Sequence, residues 1–129
     1  MIVNDNTDLV NLFQDALEHQ RIETCAFTDP YLALDKIRAK PNQFSLVLIN
    51  YPTPPKRSEI KFAKEAKAVS KRIKVVLTSG YNLSAVDISK DGYDNFLHLP
   101  VKLSTLVSTV KENDRFLILY FAIVQCKVC

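Results

Sequence analysis

Apolar residues along this chain recur in two rhythms. Short unbroken or nearly unbroken runs occur at Ile2-Val3, from Ile22 to Phe27, from Phe44 to Ile49 (interrupted only by Ser45), at Val75-Val76-Leu77 and at Phe96-Leu97. Each is the length of a strand, and the run ending at Ile49 has no polar alternation, as expected of a central strand covered on both faces. Between the runs, apolar residues fall three and four apart. Leu9, Leu12, Phe13 and Ala16, widened by Val10 and Leu17, predict one amphipathic helix. Leu32, Ala33 and Ile37 predict a second, Ile60, Ala63 and Ala66 a third from about Ser58 to Ser70, and Leu103, Leu106, Val107 and Val110 the last.

Punctuation supports these boundaries. The polar cluster Asn4-Asp5-Asn6-Thr7 separates the first strand from the first helix. Asp29 can cap the free amides of the second helix, and Pro30 suits its first position, where a missing N–H costs nothing. Tyr51-Pro52-Thr53-Pro54-Pro55 can continue neither strand nor helix and reads as a loop, while Ser84-x-x-Asp87 resembles a capping box opening one further short helix. Five strands alternating with five helices imply an α/β fold, a doubly wound parallel sheet with right-handed crossovers and helices on both faces. A ligand site in such a sheet lies at the carboxyl ends of its strands, which directs attention to Asn4-Asp5, Asn50, Thr78-Ser79 and Leu99-Pro100.

Composition narrows the picture. A length of 129 residues with 47% hydrophobic content suits one core, since single domains span roughly 100–200 residues. Residues 1–113 are expected to form it, leaving 114–129 as an apolar C-terminal tail whose residues could extend the last helix, fold onto the sheet or form a homodimer contact. The tail's run from Phe116 to Val124 is far short of the roughly 20 residues of a membrane-spanning helix. The chain opens without a signal-peptide pattern, and Cys25, Cys126 and Cys129 are too few for a disulfide framework, so a reducing, cytoplasmic location is expected. Cys126-x-x-Cys129 has the spacing of half a zinc site, but no second pair completes it. Charge is uneven: Lys56, Arg57, Lys61, Lys64, Lys67, Lys71, Arg72 and Lys74 face only Glu59 and Glu65 over that stretch, so one face should be basic. Without interleaved aromatics or a helix-turn-helix pattern, this face predicts no direct nucleic-acid binding; a solvated helix surface or an acidic partner accounts for it. His19 and His98 are isolated from plausible metal partners.

The strand-end residues, in this order and spacing, resemble the receiver domain of two-component response regulators over about residues 1 to 112. Val3-Asn4-Asp5-Asn6 resembles that family's acidic pair with one member replaced. Leu46-Val47-Leu48-Ile49-Asn50 resembles the strand that carries the phosphate-accepting aspartate, with asparagine in its place, and Pro54 stands where the family's loop has proline. Val75-Val76-Leu77-Thr78-Ser79 keeps the hydroxyl residue, and Gly92 to Pro100 resembles the segment holding the switch aromatic, here Phe96, and a lysine, here replaced by Leu99. Phe27-x-Asp29-Pro30-x-x-Ala33-Leu34 has the look of archaeal receivers. The resemblance implies a flavodoxin-like (βα)5 fold with strand order 2-1-3-4-5.

It also implies a degenerate reaction centre. In the family an aspartate carboxylate attacks phosphorus while Mg²⁺, held by the acidic cluster, neutralises charge on the moving group. An amide at Asn50 is a far poorer nucleophile, Asn4 and Asn50 leave Asp5 as the one carboxylate where the family has three, and Leu99 removes the ammonium that pairs with a phosphoryl oxygen. No catalytic residue and no cofactor are therefore expected, with Mg²⁺ binding weak or lost and Asp5 at best a weak ligand. Thr78 is open between a retained switch role and an ordinary strand-end threonine, Phe96 between switch and core, and Asp5 between residual ligand and solvated or capping acid. The expected function is a non-enzymatic signalling module that binds protein partners, a histidine kinase or an output protein. The alternatives are a receiver using another acceptor, such as Asp5 or a nearby hydroxyl, and a mononucleotide- or flavin-binding protein. Only Gly80 and Gly92 are available to the last, with no glycine-rich phosphate loop after the first strand.

Overall fold

The computed structural model describes residues 1–51, 58–81 and 90–113. Its elements run β1 (Ile2–Val3), α1 (Thr7–His19), β2 (Ala26–Phe27), α2 (Pro30–Ala39), β3 (Leu46–Asn50), α3 (Ser58–Val69), β4 (Lys74–Ser79), β5 (Asn95–His98) and α4 (Leu103–Asn113). The strands form one sheet in the order β2-β1-β3-β4-β5, every neighbouring pair parallel. This is the flavodoxin-like order expected. The loop around Pro54, the side chain of Ile60, the helix predicted from Ser84 and the tail 114–129 with Cys126 and Cys129 lie outside the described residues.

The period-two alternation of strand side chains divides the core between the sheet's faces. Val47, Ile49, Val75 and Leu77 pack with Ala33, Leu34 and Ile37 of α2 and with Phe62, Ala63 and Ala66 of α3. Leu46, Leu48 and Val76 point the other way, onto Val10, Phe13 and Leu17 of α1 and Leu106 and Val110 of α4. Thus α2 and α3 cover one face and α1 and α4 the opposite one.

Two helices are rotated from the expected faces. Leu12 is 48% exposed and Leu32 56% exposed, while Val10, Leu34 and Phe62 are buried. The buried positions of α1, at spacings of three and four, define the stripe, and Leu12 lies one 100° step off its centre residue Phe13. In α2 the same spacing selects Ala33, Leu34 and Ile37. The first and last helices also differ at Ala16 and Leu103, the former half-buried and the latter exposed. The strands are shorter than the apolar runs because Ile22, Cys25 and Phe44 are buried from adjoining non-strand backbone rather than from the ladder. Cys25 is disulfide-bonded. A single bond is no framework, but the thiol count no longer speaks for a reducing compartment.

Helix ends follow the local chemistry. The Asp29 carboxylate accepts the Tyr31 amide at 2.8 Å, with Pro30 opening α2 as expected, and the Asn6 side chain accepts the Leu9 amide at 3.2 Å to open α1. At the other end of α1 the Ile22 amide donates to the Leu17 carbonyl and the Arg21 amide to that of Glu18, a Schellman closure with Ile22 and Leu17 both buried. This closure puts Arg21 at φ 61°, a left-handed conformation that glycine adopts without a Cβ clash.

The amino ends of β4 and β5 are tied by Asp94. Its backbone N–H donates to the Val75 carbonyl and its carboxylate accepts the Val75 amide, both at 2.8 Å. Lys67 of α3 reaches the same carboxylate at 2.7 Å and Lys74 at 3.8 Å. The residue's backbone is open to solvent but its side chain is only 19% exposed, so the anion is partly desolvated and held by fixed donors.

Two stability outcomes are expected. Asp94→Ala strands the Val75 amide and leaves two ammonium groups without their anion, costing about 1–3 kcal/mol in urea unfolding, with Asp94→Asn costing less. Arg21→Gly relieves the left-handed strain and, net of backbone entropy, raises stability by up to about 1 kcal/mol, read as a higher thermal midpoint.

Candidate functional site

The register of the central strands brings the strand-end residues together. Val3 pairs with Ile49, Asn50 with Thr78, and Ser79 with His98. Asn4 therefore leaves β1 beside Asn50 at the end of β3, Thr78 and Ser79 end β4, and Leu99 follows β5. All lie at the carboxyl edge of a parallel sheet, where loops rather than ladder partners meet the backbone.

Asn4 is buried, its backbone N–H donating to the Phe27 carbonyl at 3.0 Å and its Oδ1 accepting the Asn6 amide at 2.9 Å. This Asx-type turn redirects the chain from β1 into α1, a job for which a short side-chain carbonyl suffices. Asp5, next in sequence, is exposed. Asn50 is half-buried at the end of β3, whose four preceding residues are buried. Thr78, 2% exposed, places its Oγ1 3.3 Å from the Ile49 carbonyl and 3.4 Å from Asn50 Oδ1. A hydroxyl has one proton to donate, so these two acceptors share it. The contact holds the amide oxygen of Asn50 toward β4.

Phe96 and Leu99 are both half-buried, on opposite sides of the sheet. Phe96 packs against the core under α2 and α3, and its ring meets that of His98 edge-on with centroids 6.4 Å apart. Leu99 packs with Val101 and Val107 against the core under α1 and α4. Its amide donates to the Ser79 carbonyl at 2.7 Å, and the Leu99–Pro100 peptide is cis. The apolar side chain at this position is thus continuous with the hydrophobic core.

Ser79, which the sequence marks only as part of the Thr-Ser pair, is the hub of the neighbouring loops. Fully buried, its hydroxyl donates to the Tyr51 carbonyl at 3.2 Å and accepts the Tyr81 amide at 3.0 Å. The Tyr51 amide in turn donates to the Thr78 carbonyl at 2.7 Å. A serine followed by glycine at a strand end is the only sequence signal for this bridge.

As a donor set, these positions offer one exposed carboxylate, Asp5, and two amide oxygens already accepting hydrogen bonds, on Asn4 and Asn50. Among the described residues no three His, Cys, Asp or Glu side chains converge in a way that could hold a metal ion. No described helix is long and apolar enough to cross a membrane.

No protein-family model matches the chain, and no curated protein sequence matches it. Solved structures do. A CheY-like response regulator receiver domain protein from Methanospirillum hungatei JF-1 superposes with a TM-score of 0.74 at 24% identity, covering 86% of this chain and 88% of that one. A response regulator receiver domain protein from Clostridium thermocellum gives 0.79 at 18% identity, over 92% and 94%. The response regulator TrrA from Thermotoga maritima, solved in complex with Mg(2+)-BeF, gives 0.74 at 21% identity, over 87% and 95%. In strand order, helix placement and extent along the chain, this protein has the fold of the response regulator receiver domains.

Proposed function

We propose that this chain is a receiver-like signalling module of a two-component or phosphorelay system that works through protein contacts, without phosphoryl transfer at residue 50. The observation that carries the reading is the pair at the ends of β3 and β4, where the Asn50 amide oxygen accepts from the Thr78 hydroxyl. An amide has its lone pair delocalised and carries no charge, so it neither attacks phosphorus as a carboxylate does nor offers a cation more than a dipole.

The surrounding groups support the same reading. Magnesium surrenders its water reluctantly and is bound chiefly through one or two carboxylates together with phosphate oxygens. Among the described residues that follow β1, β3, β4 and β5, Asp5 is the lone carboxylate, and the carbonyl of Asn4 is committed to its turn. These residues fit a resident divalent ion poorly. Leu99, joined to the core beneath α1 and α4, supplies no ammonium to neutralise a phosphoryl oxygen. Thr78 is held by the carbonyl of Ile49 and by Asn50, so its hydroxyl positions the loop ends. The partners are proteins, a histidine kinase or an output protein, recognised by the surfaces of the domain; the chain has no enzymatic role of its own.

Incubation with acetyl phosphate and Mg²⁺, read by intact mass, is expected to leave the protein without a phosphoryl adduct. A stoichiometric adduct would sink the proposal, and peptide mapping would then identify the acceptor. Asn50→Asp alone is expected to stay largely unmodified, whereas Asn4→Asp, Asn50→Asp and Leu99→Lys combined should acquire one adduct per chain. Addition of Mg²⁺ with beryllofluoride, the combination present in the T. maritima structure, is expected to leave the wild-type amide NMR spectrum unchanged and to shift the strand-end resonances of the triple variant.

A further inference from the structure

Cys25 is disulfide-bonded and buried at the entry to β2, where its carbonyl accepts the Ile2 amide at 2.8 Å. Its side chain belongs to the core under α2 and α3, and the strand order puts β2 at an edge of the sheet. The sequence contains two other cysteines, Cys126 and Cys129, and the bond lies within a single copy of the chain. By elimination the partner of Cys25 is one of those two. Whichever it is, the other keeps its thiol three positions away along the chain.

The described helices make this connection short. The last turn of α4 lies against the end of α1, where Lys111 Nζ donates to Gln20 Oε1 at 3.1 Å, and Cys25 follows on the same amino edge of the sheet. About thirteen residues separate Asn113 from Cys126, a reach of up to ~40 Å when extended, so the segment can pass the edge strand to Cys25. Loop closure weighs against the bond, however. Linking Cys25 to the C-terminal segment closes a loop of about a hundred residues, whereas linking Cys126 to Cys129 closes one of about four, and closure entropy disfavours the longer loop.

We propose that the three cysteines form an exchange set that fastens residues 114–129 to the start of β2 and releases them again. The thiolate of the unbonded tail cysteine attacks the sulfur of the bonded one. A bond forms between Cys126 and Cys129, the bond to Cys25 breaks, and Cys25 departs as a thiolate that takes up the proton lost by the attacking thiol. No oxidant or reductant is consumed. Burial of the apolar run from Phe116 to Val124 against the domain offsets the entropy of the long loop, so the linkage reports whether that run is docked. In one state the segment is held by α4 and by Cys25, in the other by α4 alone. The device sits at the amino edge of the sheet, away from Asn4, Asn50 and Thr78, and does not depend on their chemistry.

Disulfide mapping of the full chain by mass spectrometry tests it, because trypsin cuts after Lys127 and parts Cys126 from Cys129. The protein is oxidised in air at low concentration and about pH 8, quenched in acid and digested without reduction after alkylation. The folded chain is expected to give mainly the Cys25 peptide joined to one tail peptide, with the third cysteine alkylated. Equilibration in about 6 M urea should raise the ratio of Cys126–Cys129 linkage to Cys25 linkage at least about tenfold, since only loop length then decides. Cys126→Ser and Cys129→Ser both keep the buried Cys25 and should each hold one Cys25 linkage that urea does not move, because no third thiol remains to attack it. Cys25 alkylated throughout the folded chain, Cys25 linkage found only between two chains, or a wild-type ratio unchanged by urea would each overturn the proposal.

Discussion

Every feature at the strand ends depends on the register between β3 and β4. Pairing runs from Leu46 with Lys74 to Asn50 with Thr78, and both strands are covered on both faces. A slip of one residue would turn each side chain to the opposite face of the sheet, exchanging Val47 and Ile49 for Leu46 and Leu48 beneath α2 and α3. Burial on two sides thus sets the register, and the register sets which side chain meets Thr78. The 3.4 Å contact between the threonine hydroxyl and Asn50 is a consequence of core packing several residues away.

The same packing explains how apolar and neutral side chains sit at the strand ends. Leu99 joins Val101 and Val107 against the core under α1 and α4. Asn4 accepts the Asn6 amide, which turns β1 into α1. The hydroxyls of Thr78 and Ser79 likewise tie the ends of β3 and β4 together through Ile49, Asn50 and Tyr51. At the carboxyl ends of β3 and β4 these contacts form one hydrogen-bonded seam.

Away from that seam, charge is the organising property. The sheet holds an acidic helix and a basic helix apart, a separation enforced by topology because the helix after β1 packs on one face and those after β2 and β3 on the other. The net charge of +3 therefore conceals a strong asymmetry, which bears on association more than on stability.

Much of the fold was legible in the sequence because it is written in local terms. Alternating apolar runs and helical stripes, the Asp29-Pro30 start and the strand-end spacing determined the element order, and the composition of Asn4, Asp5, Asn50 and Leu99 determined which charges the site has. The residues could not say which way each helix would roll. Leu12 and Leu32 read as core because any leucine adjoining a stripe does, and only packing against a sheet of definite position selected Val10 and Leu34 instead. Ser79 and Asp94 were equally opaque, since their partners Tyr51, Lys67 and Val75 are brought near by crossovers and not by sequence spacing. Local chemistry thus determined the elements and the charges; long-range contact decided which faces are buried, which hydroxyls are bonded and where opposite charges stand.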